Sequence, residues 1–188
     1  MRLTFPVRLL FFAYLLQGSF SVFAAEAADT ATKAQDLSFN EVYKEDQKIE
    51  DKAIDLIYEQ FRILIHVNVT SFYRNVLISG EVPDETIKTS VEKIVSAIED
   101  VRHVNNELVI SGNSSLASRS NDSLITTNVK LRFARDKHIS TDHIKAVTEN
   151  GTVFLIGNVN RAEADAAAEV ASTTNRVKRV VKLFEYAD

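Results

Sequence analysis

The residues able to do chemistry are few and scattered. Four histidines, His66, His103, His138 and His143, are the candidates for metal binding or proton transfer. His138 and His143 flank Asp142, but a spacing of five suits one helix face poorly, and the segment reads as a loop entering a strand. Solvated or ion-paired imidazoles are expected instead of ligands. Serines and carboxylates are plentiful, yet none sits in a nucleophile elbow, and the five glycines form no phosphate-cradling loop. Carboxylate pairs such as Glu99-Asp100 fall at a helix end, where water solvates them. The absence of cysteine removes thiolate nucleophiles, disulfides and sulfur-ligated zinc. The expectation is therefore no catalytic residues, no cofactor and no metal.

Adhesion to a charged surface is the chemistry the sequence supports better. Periodicity predicts a helix over 123–135, with Asp122 as its N-cap. At about 100° per residue, Ile125, Val129 and Phe133 share one face and would pack on a sheet. Leu124, Asn128, Leu131 and Arg135 share another, with Lys130, Arg132 and Lys137 nearby. Outward leucines among basic side chains suit an element that lies on anionic phospholipid. Each basic side chain near such a surface contributes about 1 kcal/mol, so binding would be modest and salt-sensitive. The alternative is that Leu124 and Leu131 pack against the first half of the chain. That half is acidic: residues 46–111 carry seven Lys/Arg against twelve Asp/Glu, whereas 122–188 carry ten against nine. The formal net charge of −4 and the missing basic field exclude a general nucleic-acid binder.

The elements that position these residues come as a repeat. Asn150-Gly151 between β-branched and aromatic residues is a strong hairpin signal, because a tight turn needs positive φ at both central positions. The second strand ends at Gly157, where a strand can bend or admit another backbone. An equivalent hairpin ends at Gly80, 77 residues earlier. It lacks Asn-Gly and has an additional residue, so a looser or bulged turn is expected around Phe72-Tyr73-Arg74-Asn75. After each glycine comes a helical stripe (Ile87, Val91, Ile94, Val95, Ile98; then an alanine-rich run over 161–173). A V-x-x-V strand closes each unit, at Val101/Val104 and Val177/Val180. With a first helix through Ile49, Ala53, Leu56 and Ile57, capped by Asp46, the order is α-β-β-α-β twice. The predicted fold class is α+β: two tandem modules, each with two helices packed on a three-stranded sheet. The modules fall at 46–111 and 122–188, joined by a polar linker at 112–121.

Arg2 and Arg8 before a short apolar run, then Val22-Phe23-Ala24, read as a signal peptide over 1–25. Residues 26–45 lack periodicity and read as a flexible lead-in. Leu16-Gln17-Gly18-Ser19 has serine where a lipidated cysteine would stand, and a hydroxyl cannot form the thioether. A periplasmic protein, peripherally associated with the outer membrane and not lipidated, is expected.

Leu15-Leu16-Gln17-Gly18, Asn121-Asp122-Ser123-Leu124-Ile125-Thr126-Thr127, Thr148-Glu149-Asn150-Gly151-Thr152-Val153-Phe154-Leu155 and Val177-Lys178-Arg179-Val180 resemble the BON-domain family, in its two-module envelope form. The resemblance covers nearly the whole chain. It implies a small sheet with two helices on one face, no enzymatic activity, phospholipid contact through the first helix of the second module, and a role in outer-membrane integrity. Leu124 replaces the tryptophan of that helix, which weakens insertion at the interfacial depth aromatic rings prefer. The other reading within the resemblance is a soluble stress-responsive periplasmic protein that binds other proteins through sheet edges or the Phe72-Tyr73 loop.

Overall fold

The computed structural model describes residues 41–62, 65–112 and 115–187, and from Tyr43 onward they belong to one compact body. The predicted signal peptide, Ser19 and residues 26–40 lie outside the described residues. Residues 41–45, expected in the lead-in, are helical.

A helix over 41–61 (α1) leads into β1 (His66–Phe72), β2 (Asn75–Val82), α2 (Glu85–Ser96) and an interrupted strand, β3 (His103–Asn106) and β4 (Val109–Ile110). The order then repeats as α3 (Leu116–Phe133), β5 (Ile144–Glu149), β6 (Thr152–Val159), α4 (Arg161–Ser172) and β7 (Arg179–Tyr186). In each half the central strand pairs antiparallel with its hairpin partner and parallel with the closing strand. The chain thus has the expected α+β architecture in duplicate.

Each module has its own core on the helix side of its sheet. In the first, Ile49, Ala53 and Ile57 of α1 and Val91 and Val95 of α2 cover Val76, Ile78 and Val82. In the second, Ile125, Val129 and Phe133 of α3 and Ala164, Ala167 and Ala171 of α4 cover Val153 and Leu155. The alanines let α4 approach the sheet closely. Leu56, placed in the α1 stripe by sequence, is exposed.

The opposite sheet faces meet each other. Phe72 and Leu77 of the first module pack on Phe154 and Ile156 of the second, with Tyr73, Val147, Val181 and Leu183 around them. Two layers of helices therefore enclose two stacked sheets. This explains the unbroken apolar runs Val76-Leu77-Ile78 and Val153-Phe154-Leu155-Ile156, since strands buried on both faces need not alternate. Polar contacts frame the seam. Lys145 Nζ donates to Ser71 O at 2.7 Å and to Glu50 Oε1 at 3.2 Å, and Arg102 pairs with Glu185 at 3.4 Å. Phe72 and Tyr73, a candidate protein-binding loop from sequence, pack into this seam.

Both aspartates expected as N-caps serve instead as turn acceptors. Asp46 lies inside α1 and accepts from the N–H groups of Tyr73 and Arg74 at 2.9 and 2.8 Å. Asp122 lies inside α3 and accepts from Asn150 and Gly151 at 2.9 and 2.8 Å. The first hairpin is not loose: Phe72 pairs with Asn75, leaving a two-residue turn at φ 50° and 65° for Tyr73 and Arg74. Asn150 and Gly151 adopt 48° and 76°. A left-handed conformation costs non-glycine residues about 1–2 kcal/mol each, and the Asp46 carboxylate offsets it. At Gly157 a Cβ would stand 2.3 Å from His143 O, and at Gly80 (φ 121°) 2.1 Å from His66 O. These glycines let the hairpin strands cross closely.

Candidate membrane-contact surface

α3 is longer than its periodicity indicated. Ser115 caps it, its Oγ accepting from Ser118 N at 3.2 Å, so residues 116–121, read as linker, are helical. The inward face carries Asp122, Ile125, Val129 and Phe133. The outward face carries Leu124 and Leu131, 56% and 50% exposed, with Asn128 and Arg135 exposed between and beyond them. Both leucines are thus half-exposed and belong to none of the buried clusters. Leu116, 82% exposed, extends the apolar side of the helix by two turns and was missed because 112–121 reads as polar. The capping serine was the available signal.

The basic residues do not all stand together. Arg132 is half-buried and bridges the helices, donating to Val170 O and Thr174 Oγ1 at 2.8 Å and to Thr173 Oγ1 at 3.0 Å. These groups lie at the C-terminal end of α4, where a cation also complements the helix dipole. Lys130 is exposed but lines the cavity at the module seam. Arg135 and Lys137 are exposed at the C-terminal end of α3.

The loop after α3 is held in place. The Asp136 carboxylate accepts from His138 N at 2.9 Å and lies 3.1 Å from His138 Nδ1, and the backbone bond, then the ring, hold it below the usual carboxylate range. Ile139 is buried, Ser140 N donates to Glu163 Oε1 at 2.7 Å, and His143 Nδ1 is 3.1 Å from Glu163 Oε2. His138 and His143 thus engage separate carboxylates. No helix among the described residues is long and apolar enough to cross a membrane.

Fold and surface together define a duplicated α+β module with one helix presenting leucines to solvent. The chain belongs to the BON-domain family: the BON domain model matches residues 46–112 and 121–188. It is 34% identical over 175 residues to the outer membrane lipoprotein DolP of Haemophilus influenzae, covering 92% of this chain and 91% of that one. It is also 34% identical over 120 residues to a 21 kDa hemolysin of Actinobacillus pleuropneumoniae, covering 64% and 62% of the two chains. Identity to the osmotically-inducible protein Y of Escherichia coli is 25% over 158 residues, covering 81% and 79%. Among solved structures, the C-terminal domain of CdsD, a structural protein of the type III secretion system of Chlamydia trachomatis, matches with TM-score 0.31 and 12% identity. That match covers 72% of this chain and 96% of that one.

Proposed function

We propose that this chain is a non-catalytic periplasmic protein that associates peripherally with the outer membrane and supports its integrity. Its second module rests on anionic phospholipid through the outward face of α3. The observation that carries this reading is the solvent-facing pair Leu124 and Leu131 on a helix whose other face is sealed in a core. Full burial of a leucine is worth about 1.5–3 kcal/mol, and a basic side chain near an anionic surface about 1 kcal/mol. Partial insertion of these leucines with Arg135 and Lys137 alongside therefore gives reversible, salt-sensitive attachment. Identity to an outer membrane lipoprotein supports the location. With Ser19 unable to carry a thioether, attachment rests on α3.

Vesicle co-sedimentation tests the reading. The protein should pellet with vesicles containing phosphatidylglycerol at low salt, release as salt rises, and ignore vesicles of phosphatidylcholine alone. Failure to pellet with anionic vesicles at low salt would remove the lipid reading.

A further inference from the structure

We propose that the seam between the modules binds a divalent transition-metal ion through His66, Glu81 and Glu149. His66 and Glu81 are cross-strand partners on β1 and β2, and Glu149 enters from the end of β5 in the other module. One ligand atom from each lies within 4.8 Å of the others, with His66 Nε2 at 3.8 Å from Glu149 Oε1. Zinc holds such ligands about 2.0–2.2 Å away, so the three atoms need to close by roughly 1 Å, within reach of side-chain adjustment.

Ser79 gives an independent indication. Its Oγ is fully buried without a hydrogen-bond partner, alone in this among the described residues. Ser79 is the cross-strand partner of Asn68, and alternation along β2 puts it on the same sheet face as Leu77 and Glu81, turned toward the second module. The Asn68 amide on that face donates to Glu149 Oε1 and lies 3.4 Å from His66 Nε2. An unpaired buried hydroxyl costs about 1–3 kcal/mol, and water on the open coordination position of a metal is the donor that would satisfy it. The equivalent pair in the second module is Lys145 and Ile156, so this polar corner is not a demand of the fold.

The electrostatics suit a divalent ion. Burial pushes Glu149 up to about 7. The charges of Glu81 and Asp122 act in the same direction, against the Asn68 hydrogen bond and Arg119. Burial, then Arg119, lowers His66. Near neutral pH Glu149 therefore holds a proton part of the time, and the Asn68 amide, which a metal ion must displace, stands between His66 Nε2 and Glu149 Oε1. A metal ion replaces that proton. One imidazole with two carboxylates favours zinc and its neighbours over magnesium or calcium, which prefer all-oxygen shells. Arg119 and Lys130 line the adjoining cavity of ≈ 380 Å³ and compete electrostatically, so moderate affinity is expected.

The test is calorimetric titration of the full chain with zinc chloride at about pH 7.5, alongside thermal unfolding. One equivalent should bind, release protons seen as buffer-dependent heat, and raise the melting temperature. Glu149→Gln and His66→Gln should each weaken binding by at least about ten-fold, whereas His138→Gln and replacement of zinc by magnesium serve as controls. Metal-free Glu149→Gln should melt no lower than the native chain, which separates lost ligation from lost folding. Absence of saturable heat, or zinc binding that survives both ligand substitutions, overturns the proposal.

Discussion

Asp122 Oδ1 accepts the Gly151 N–H at 2.8 Å, tying the buried side of α3 to the tip of the β5–β6 hairpin. Asp46, 76 positions earlier, ties α1 to Arg74 in the same way at 2.8 Å. A buried carboxylate gripping two amides of a left-handed turn is thus a repeated device, and it frees the outer face of each helix from any role in holding the hairpin. In α3 that face carries Leu124 and Leu131.

Asp122→Ala leaves the Asn150 and Gly151 amides without this acceptor and is expected to destabilise the protein by about 2–4 kcal/mol. Asp122→Asn, which keeps one acceptor oxygen, should lose about half as much. Urea unfolding midpoints measure both, and equal losses would show that shape rather than the carboxylate matters.

Gly157→Ala places a methyl group 2.3 Å from His143 O, where the obstacle is backbone and cannot swing aside. A loss of at least about 3 kcal/mol is expected, with a lowered melting temperature as the readout. Gly151→Ala meets only the flexible Lys178 side chain, at 2.9 Å, at a positive φ, and should cost about 1–2 kcal/mol.

With a chelator present, stability should depend on pH through Glu149 and His66. Glu149 holds its proton up to about 7 in the folded chain, above the usual carboxylate value, so its contribution is complete below about pH 4.5 and is lost progressively as pH rises to about 7. His66 is depressed, so the folded state loses stability as pH falls below the ordinary imidazole value. Between about pH 4.5 and 6.5 the two groups therefore act in opposite directions, and the melting temperature should vary less there than either group alone would make it. Glu149→Gln should remove the decline between about pH 4.5 and 7 and leave the fall in stability below the ordinary imidazole value in place.

Arg132 separates stability from binding. Because its guanidinium bonds Val170 O, Thr173 and Thr174, Arg132→Gln should cost about 1–3 kcal/mol in urea unfolding while leaving vesicle binding by the folded protein nearly unchanged. Arg135→Glu with Lys137→Glu should do the reverse, since both side chains are exposed.

The repeat, the hairpins and the inward faces of the helices were legible because hydrophobic spacing and Asn-Gly chemistry are local signals. The face-to-face stacking of the sheets was encoded in Val76-Leu77-Ile78 and Val153-Phe154-Leu155-Ile156, but an unbroken apolar strand says that both faces are buried without saying by what. Asp46 and Asp122 resembled N-caps in type and place. Their partners lie about 28 residues away in the chain, beyond any helical spacing rule. Tyr73-Arg74 carries no turn signature, since the strain there is relieved by Asp46 from another element. The exposure of Leu124 and Leu131 was readable from the helical wheel, whereas Arg132, placed nearby with Lys130 and Lys137, is set apart only by its contacts with α4. His66, Glu81 and Glu149 meet through a module interface that no local spacing records.

The outward face of α3 carries the proposed attachment. Leu124→Asp with Leu131→Asp replaces two exposed side chains and should leave the unfolding midpoint within about 0.5 kcal/mol of the native chain. In co-sedimentation with anionic vesicles at low salt, the account predicts that the native protein pellets and the folded double variant stays in the supernatant. A double variant that pellets as the native protein does would contradict it.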